Sequence, residues 1–245
     1  MKIIVCKDYD EMSKEAGKIV ARQIQEKPDS VLGLATGSTP IGLYQYLIQA
    51  YEAGEIDFSK ITTFNLDEYI GLSEENDQSY HYFMNENLFS KVNLPKDAIH
   101  FPAVEGELFG RGYDRAIEKA GGIDLQVLGI GRDGHLAFVE PGEKLNVFTG
   151  KSDLLPETIE DNARFFESRD QVPTQAVSMG MGSIMRAKKL LILANGKAKR
   201  DAVSQIIKGE KVTTLCPVTF ALMHPDATLI VDEEAAGGPS TCPIA

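Results

Sequence analysis

Leu128-Gly129-Ile130-Gly131-Arg132-Asp133-Gly134-His135-Leu136-Ala137-Phe138-Val139-Glu140-Pro141 is the stretch on which the reading of this chain turns. From Ile123 to Ile130 the chain is apolar except at Asp124 and Gln126, the pattern of a strand buried on both faces. That strand runs straight into a loop holding an acid, an imidazole and a second acid. In open α/β sheets ligands bind beyond the carboxyl ends of the strands, so polar residues there are where chemistry is expected. Gly129, Gly131 and Gly134 permit tight turns and close approach to a ligand. Asp133 and His135, two positions apart, fall on one side of an extended segment. Glu140 reaches them only if the loop curls, and Pro141 helps to fix where it stops. An unperturbed imidazole titrates at about 6.5, and flanking carboxylates favour its protonated form. His135 is therefore a candidate general acid/base, with a hydrogen-bonded structural histidine as the alternative.

Upstream, residues 2–6 read as a first strand, followed by Met12, Ala16, Ile19, Val20 and Ile24 at helical spacing. Pro28-Asp29-Ser30 make a turn, and Val31 to Ala35 reads as a second buried strand. Thr36-Gly37-Ser38-Thr39-Pro40 then leads into a helix through Leu43, Tyr44 and Leu47, which predicts a Ser or Thr N-cap with Pro at the first helical position. Backbone N–H groups, the positive end of the helix dipole and two hydroxyls at a strand end suit a phosphate; a well-capped helix is the plainer alternative. The Gly-Lys-Ser/Thr ending of a Walker A loop is missing. A third strand, Ile61 to Leu66, ends in Asp67-Glu68-Tyr69, acids that either serve a site or solvate a turn. A polar loop from Gly71 to Ser79 precedes a helix, Tyr80 to Phe89, whose Phe83, Leu88 and Phe89 read as packing. His81 and His100 have no evident partner, and residues 107–120 fit an amphipathic helix.

Downstream of Pro141 the chain reads as irregular to about Leu155, then as a helix from Pro156 toward Arg164-Phe165-Phe166. Arg164 is either a surface arginine or a fork suited to phosphate. Val177 to Ser183 reads as a strand ending in a glycine turn and Lys189 to Ala194 as another, with Lys199 in the first turn beyond it. A short helix after Pro217 and a strand from Ala227 to Val231 complete the pattern. Strands alternating with helices predict an α/β fold: an open, mostly parallel sheet with helices on both faces, a single catalytic domain over residues 1–236 and a loose tail over 237–245.

A chain of 245 residues, 43% hydrophobic, can bury one sizeable core. A net charge of -11 argues against a nucleic-acid or anionic membrane surface, while a few local cations and amides still suffice for a small phosphorylated molecule. Cys6, Cys216 and Cys242 show no metal-ligand spacing and are too few for a disulfide framework, so no metal is expected and the thiols read as ordinary. The apolar start is too short for a signal peptide and no spanning segment occurs, which makes a cytoplasmic setting the expectation.

Taken together, these motifs resemble the glucosamine/galactosamine-6-phosphate isomerase family, in the sugar-phosphate isomerase-like group that also contains 6-phosphogluconolactonase. The resemblance spans about residues 30–234. It rests on Ala35-Thr36-Gly37-Ser38-Thr39-Pro40, Phe64-Asn65-Leu66-Asp67-Glu68-Tyr69, Ser79-Tyr80-His81 with Phe83-Met84, the Asp133–Pro141 loop and Asn162-Ala163-Arg164-Phe165-Phe166. Glu140-Pro141 keeps an acid that the lactonases replace. The resemblance implies conversion of glucosamine 6-phosphate and water to fructose 6-phosphate and ammonia, with no organic cofactor. It also implies roles: His135 opens the sugar ring, tuned by Asp133 and Glu140; Asp67 shuttles a proton between C2 and C1; and Gly37, Ser38, Thr39, Arg164 and Lys199 hold the phosphate. A galactosamine 6-phosphate enzyme, a lactonase and a catalytically silent sugar-phosphate sensor are the competing readings. Val139 stands where the family has Asn before Glu-Pro, and Leu222 where it has Gln. Gly150 and Ser152 stand where allosteric members carry an arginine and a lysine. The expectation is an enzyme without allosteric activation, a monomer or small homo-oligomer with no need of a hexamer.

Overall fold

The computed structural model describes residues 1–238, apart from the Phe165 side chain. Its strands are β1 (Lys2–Cys6), β2 (Val31–Leu34), β3 (Thr62–Asn65), β4 (Asp67–Tyr69), β5 (Ile99–His100), β6 (Leu125–Gly129), β7 (Gly150–Asp153), β8 (Gln175–Ser178), β9 (Leu190–Ala194) and β10 (Ala227–Asp232). Its helices are α1 (Tyr9–Glu26), α2 (Ile41–Glu52), α3 (Tyr80–Asn87), α4 (Arg111–Lys119), α5 (Pro156–Asn162), α6 (Met181–Met185), α7 (Arg200–Lys208) and α8 (Glu233–Ala236). Seven strands form one sheet in the order β1-β10-β9-β6-β2-β3-β5, and every pairing in it is parallel.

From β2 the chain steps to β3 and β5 on one side, then returns to β6 on the other side of β2 and proceeds to β9 and β10. Parallel crossovers are right-handed, so connections running in opposite directions along the sheet place their helices on opposite faces. The reversal falls between β2 and β6. Crevices open at such switch points beyond the strand carboxyl ends, and here β2, β3 and β6 all end beside one another.

The two polar residues in the β6 run each have a structural task. Asp124 accepts the Val31 N–H at 2.8 Å and pairs with Lys188 at 2.7 Å and Lys27 at 3.0 Å, tying the entrance of β6 to that of β2. Gln126 lies opposite Gly33, whose missing Cβ leaves the room its amide occupies. The rest of the run joins one core that extends across the sheet, with Leu128, Ile192 and Leu229 fully covered. Among the described residues no helix is long and apolar enough to cross a membrane.

Several expectations need correction. The third strand stops at Asn65, and Asp67–Tyr69, expected to be a strand end or turn, forms β4 of a second, antiparallel sheet ordered β4-β8-β7. Residues 150–153, expected to be irregular, supply β7 of that sheet. Their Gly-Lys-Ser-Asp composition carries no strand signal, and pairing with β8 decides the matter. Pro40 is the N-cap of α2 rather than its first helical residue, and neither Ser38 nor Thr39 caps the helix. The tail expected from Gly237 falls largely on residues 239–245, which with Cys242 lie outside the described residues. Cys6 and Cys216 are buried free thiols.

Candidate functional site

A cavity of about 290 Å³ opens at the switch point, near the lower end of the range for small-molecule pockets. Gly37, Ser38 and Thr39 line it from the turn after β2, Asp67 from β4, His135 from the loop after β6, Arg164 from the turn after α5 and Lys199 from the turn after β9. The structure thus brings together these seven predicted residues; Asp133 and Glu140 stand behind the imidazole instead of in the wall.

The β2 turn is held by contacts from outside itself. Thr39 Oγ1 donates to Asn195 Oδ1 at 2.8 Å, linking it to the β9 turn that carries Lys199. The Tyr9 hydroxyl donates to the Ser38 carbonyl at 3.1 Å and accepts the Gly42 N–H at 2.9 Å. No side chain of the turn itself caps α2; the Gly42 N–H is taken up by Tyr9, and the Ile41 N–H is the first-turn donor left to an anion.

The β6 loop curls as Glu140 requires. Gly134 adopts φ +88, its N–H bonds Gly131 O at 3.1 Å, and Gly131 N–H bonds His135 O at 2.9 Å. Asp133 and His135 therefore meet across a tight turn, not along an extended segment. His135 Nδ1 lies 2.8 Å from Asp133 Oδ1 and 3.4 Å from Glu140 Oε2, close enough for electrostatic pairing though neither oxygen lies along the ring N–H. Asp133 Oδ1 also accepts the His135 backbone N–H at 3.1 Å. Burial alone depresses the imidazole pKa, but Asp133 and then Glu140 outweigh it, and the net direction is upward. For Asp133, burial raises the pKa, the opposing contacts with His135 prevail, and the carboxyl is held low.

Asp67 is only 6% exposed. Burial, then the adjacent Glu68, raise its pKa to about 8, with His135 opposing. A carboxyl poised near neutrality in a cavity is a mark of a catalytic base. Across the cavity, burial and then the neighbouring Arg164 and Arg132 push Lys199 below the usual lysine range, with Asp161 and Asp133 opposing. Arg132, paired with Asp161 at 3.1 Å, lines the same wall. The cavity lining thus holds Arg132, Arg164 and Lys199 together with the acids Asp67 and Asp161.

Arg132, Tyr69, Tyr80, Phe138 and Asn162 line the cavity without having been predicted. Tyr80 and Phe138 stack at 6.2 Å, Tyr69 packs against both, and Asn162 Nδ2 donates to the Tyr69 hydroxyl at 2.8 Å. Phe138 and Tyr80 lie within motifs already singled out; what conceals them is that an aromatic facing a cavity and one facing a core have the same local pattern. Ala137, at φ 53, is the non-glycine residue with left-handed backbone among those described, and it too faces the cavity. Val139 is buried in the core and Leu222 packs against it, so neither substitution removes a group from the cavity wall. His81 and His100 acquire partners: His81 Nδ1 lies 2.8 Å from Glu68 Oε2, and His100 stacks on Phe64.

Asp133, His135 and Glu140 are, among the described residues, the one set whose ligand atoms lie within 4.8 Å of one another as a cation would need. Their closest approach is the imidazole–carboxylate pair of His135 and Asp133 at 2.8 Å.

The family model for glucosamine-6-phosphate isomerases/6-phosphogluconolactonase matches residues 8–230. A glucosamine-6-phosphate deaminase of Thermoanaerobacter pseudethanolicus is 54% identical over 239 residues, covering 96% of this chain and 94% of its own length. One from Clostridium perfringens is 52% identical, covering 96% and 98%. The solved structure of a monomeric glucosamine-6-phosphate deaminase superposes with a TM-score of 0.91 at 38% identity, covering 97% and 99%. A 6-phosphogluconolactonase from Thermotoga maritima shares the fold, with a TM-score of 0.71 at 23% identity over 94% and 98% of the two chains. The chain belongs to the glucosamine-6-phosphate isomerase/6-phosphogluconolactonase family.

Proposed function

We infer that this chain is a glucosamine-6-phosphate deaminase, converting glucosamine 6-phosphate and water to fructose 6-phosphate and ammonia. The observation that carries this reading is a single cavity in which a buried Asp67 carboxyl with a pKa of about 8 shares the walls with His135 and the cationic pair Arg164 and Lys199. The relatives at 50–54% identity are deaminases, whereas the lactonase neighbours lie at 18–23%.

The phosphate is held by Gly37, Ser38 and Thr39 at the open end of α2 and by Arg164 and Lys199. That remote grip fixes the sugar in register with the reacting groups. His135 moves a proton from the C1 hydroxyl to the ring oxygen and opens the pyranose, with Asp133 and Glu140 stabilising its charge. Asp67 takes the C2 proton of the open-chain aldehyde and returns it to C1, while the C1 oxygen gains a proton and the amine gives one up, which leaves a C1 hydroxyl and an imine at C2. Water adds there, ammonia departs and a ketone remains. The substrate amine, as a cation beside Asp67, favours the ionised base. No step calls for an organic cofactor or a metal. Residues 1–236 act as one catalytic domain in a cytoplasmic setting. Gly150 and Ser152 provide no cation where the allosteric members have two, which supports an enzyme that needs neither activator nor hexamer and works as a monomer or small homo-oligomer.

The test is ammonia and fructose 6-phosphate formation from glucosamine 6-phosphate, alongside Asp67→Asn and His135→Gln. Wild type should release both products in equal amounts and each variant should lose at least about 100-fold, the usual range for a missing acid or base. A silent wild type that opens 6-phosphogluconolactone, or faster turnover of galactosamine 6-phosphate, would overturn the assignment.

A further inference from the structure

Glu68 follows the proposed base directly in β4 and is itself buried. Its Oε1 accepts the N–H groups of Tyr69 at 2.8 Å and Tyr80 at 3.0 Å. Its Oε2 accepts the His81 N–H at 2.9 Å and lies 2.8 Å from His81 Nδ1. The amides of Tyr80 and His81 belong to the first turn of α3, where backbone donors have no partner within the helix. Glu68 thus caps α3 from another element, beside the local cap in which Ser79 Oγ accepts the Tyr82 N–H. His81 lies flat on Phe101, ring centres 3.7 Å apart, with Nε2 3.5 Å from Glu74 in the preceding loop. The clamped turn supplies Ser79, Tyr80 and Phe83 to the cavity wall. One carboxylate therefore joins the strand bearing Asp67 to a surface that the substrate must touch.

We infer that Glu68 is a positioning residue for the deamination: it locks the α3 wall of the cavity to β4 and holds a negative charge beside Asp67, so that base and wall are set by one side chain. The inference rests on the functional reading above. The charge has a direct effect on the base, because after burial Glu68 is the group that raises the Asp67 pKa, while His135 lowers it. The other titratable groups around Asp67 are the phenols of Tyr69 on β4, Tyr80 on α3 and Tyr113 on α4, all buried, with Lys199 and Arg164 across the cavity. Around Glu68 they are His81 on α3 and, through it, Glu74.

Two variants separate the charge from the reach. Glu68→Gln keeps one acceptor oxygen for the Tyr69 and Tyr80 amides, puts an amide donor where the His81 N–H has its acceptor, and removes the charge, so the limb of the kcat/KM profile that reports Asp67 should move to lower pH by roughly one unit. Glu68→Asp keeps the charge but falls short of α3; the limb should stay in place while kcat drops at least tenfold. Carboxyl-labelled aspartate, with the Asp67 signal identified through Asp67→Asn, reads the same titration by NMR without turnover. An inactive wild type would refute the function and the role in deamination with it, whereas the NMR titration reports separately whether Glu68 sets the Asp67 proton affinity. Limbs and NMR midpoints unmoved in Glu68→Gln, with activity following thermal stability alone, would show Glu68 to be merely structural. If Glu68→Gln does not fold, a Glu68→Asp protein that keeps full kcat would overturn the inference.

Discussion

With its pKa raised to about 8 by burial and then by Glu68, Asp67 is neutral over a pH range in which an unfolded aspartate is charged. Between roughly pH 4 and pH 8 the folded protein binds more protons here than the unfolded chain, so stability falls as pH rises, and above the folded value the full cost of a buried charge is felt. Asp67→Asn removes that cost. Its melting temperature should exceed that of wild type by several degrees at pH 8 and nearly match it at pH 4, while deamination is lost; an equal offset at both pH values would contradict the buried-acid account. Gly131 is a second test at one position, because a Cβ there would stand 2.2 Å from His135 Nδ1. Gly131→Ala should displace the imidazole and lower kcat about 100-fold with the circular dichroism spectrum unchanged. An alanine enzyme of normal kcat would show that the ring has room to move. Asp133, His135 and Glu140 draw attention in the sequence because two acids and an imidazole follow one apolar strand. Asp67 and Glu68 read alike there, as strand-end acids that could merely solvate a turn; the family resemblance singles out Asp67, and nothing singles out Glu68, whose partners in α3 lie 12 and 13 positions away.

Among the elements, those of the parallel sheet could be read because burial on both faces leaves long apolar runs such as Leu190–Ala194. β4 and β7 could not, being three and four residues long and held by register with β8. The entry to α2 departs from its local signal for a related reason. A hydroxyl before proline is a cap signal, yet Thr39 bonds Asn195, 156 positions away, and the turn is braced by Tyr9 at the start of α1. Tyr9→Phe removes that brace. It should raise KM for the sugar phosphate several-fold with kcat little changed and cost about 1 kcal/mol of stability. A fall in kcat at constant KM would mean that this turn serves the chemistry rather than the phosphate.

For the molecule as a whole the net charge is -11, yet the cavity lining carries Arg132, Arg164 and Lys199, local cations with which an anionic substrate can pair. Turnover should be hyperbolic in glucosamine 6-phosphate and unaltered by N-acetylglucosamine 6-phosphate, with light scattering giving a mass near 26.8 kDa or a small multiple of it. Sigmoidal kinetics relieved by that compound, or a hexamer, would refute the reading of Gly150 and Ser152. The strand order has a further consequence, for biosynthesis. Lys2 stands opposite Thr228, and Cys6 opposite Asp232, so the first strand of the sheet in chain order is paired by its last. On the ribosome β2, β3 and β5 can assemble as they emerge, and β6 can join them. β1 has to wait through more than two hundred codons with its hydrogen-bonding edge open. The sheet is thereby completed from the middle outward, and the first of its strands to emerge is the last to be sealed.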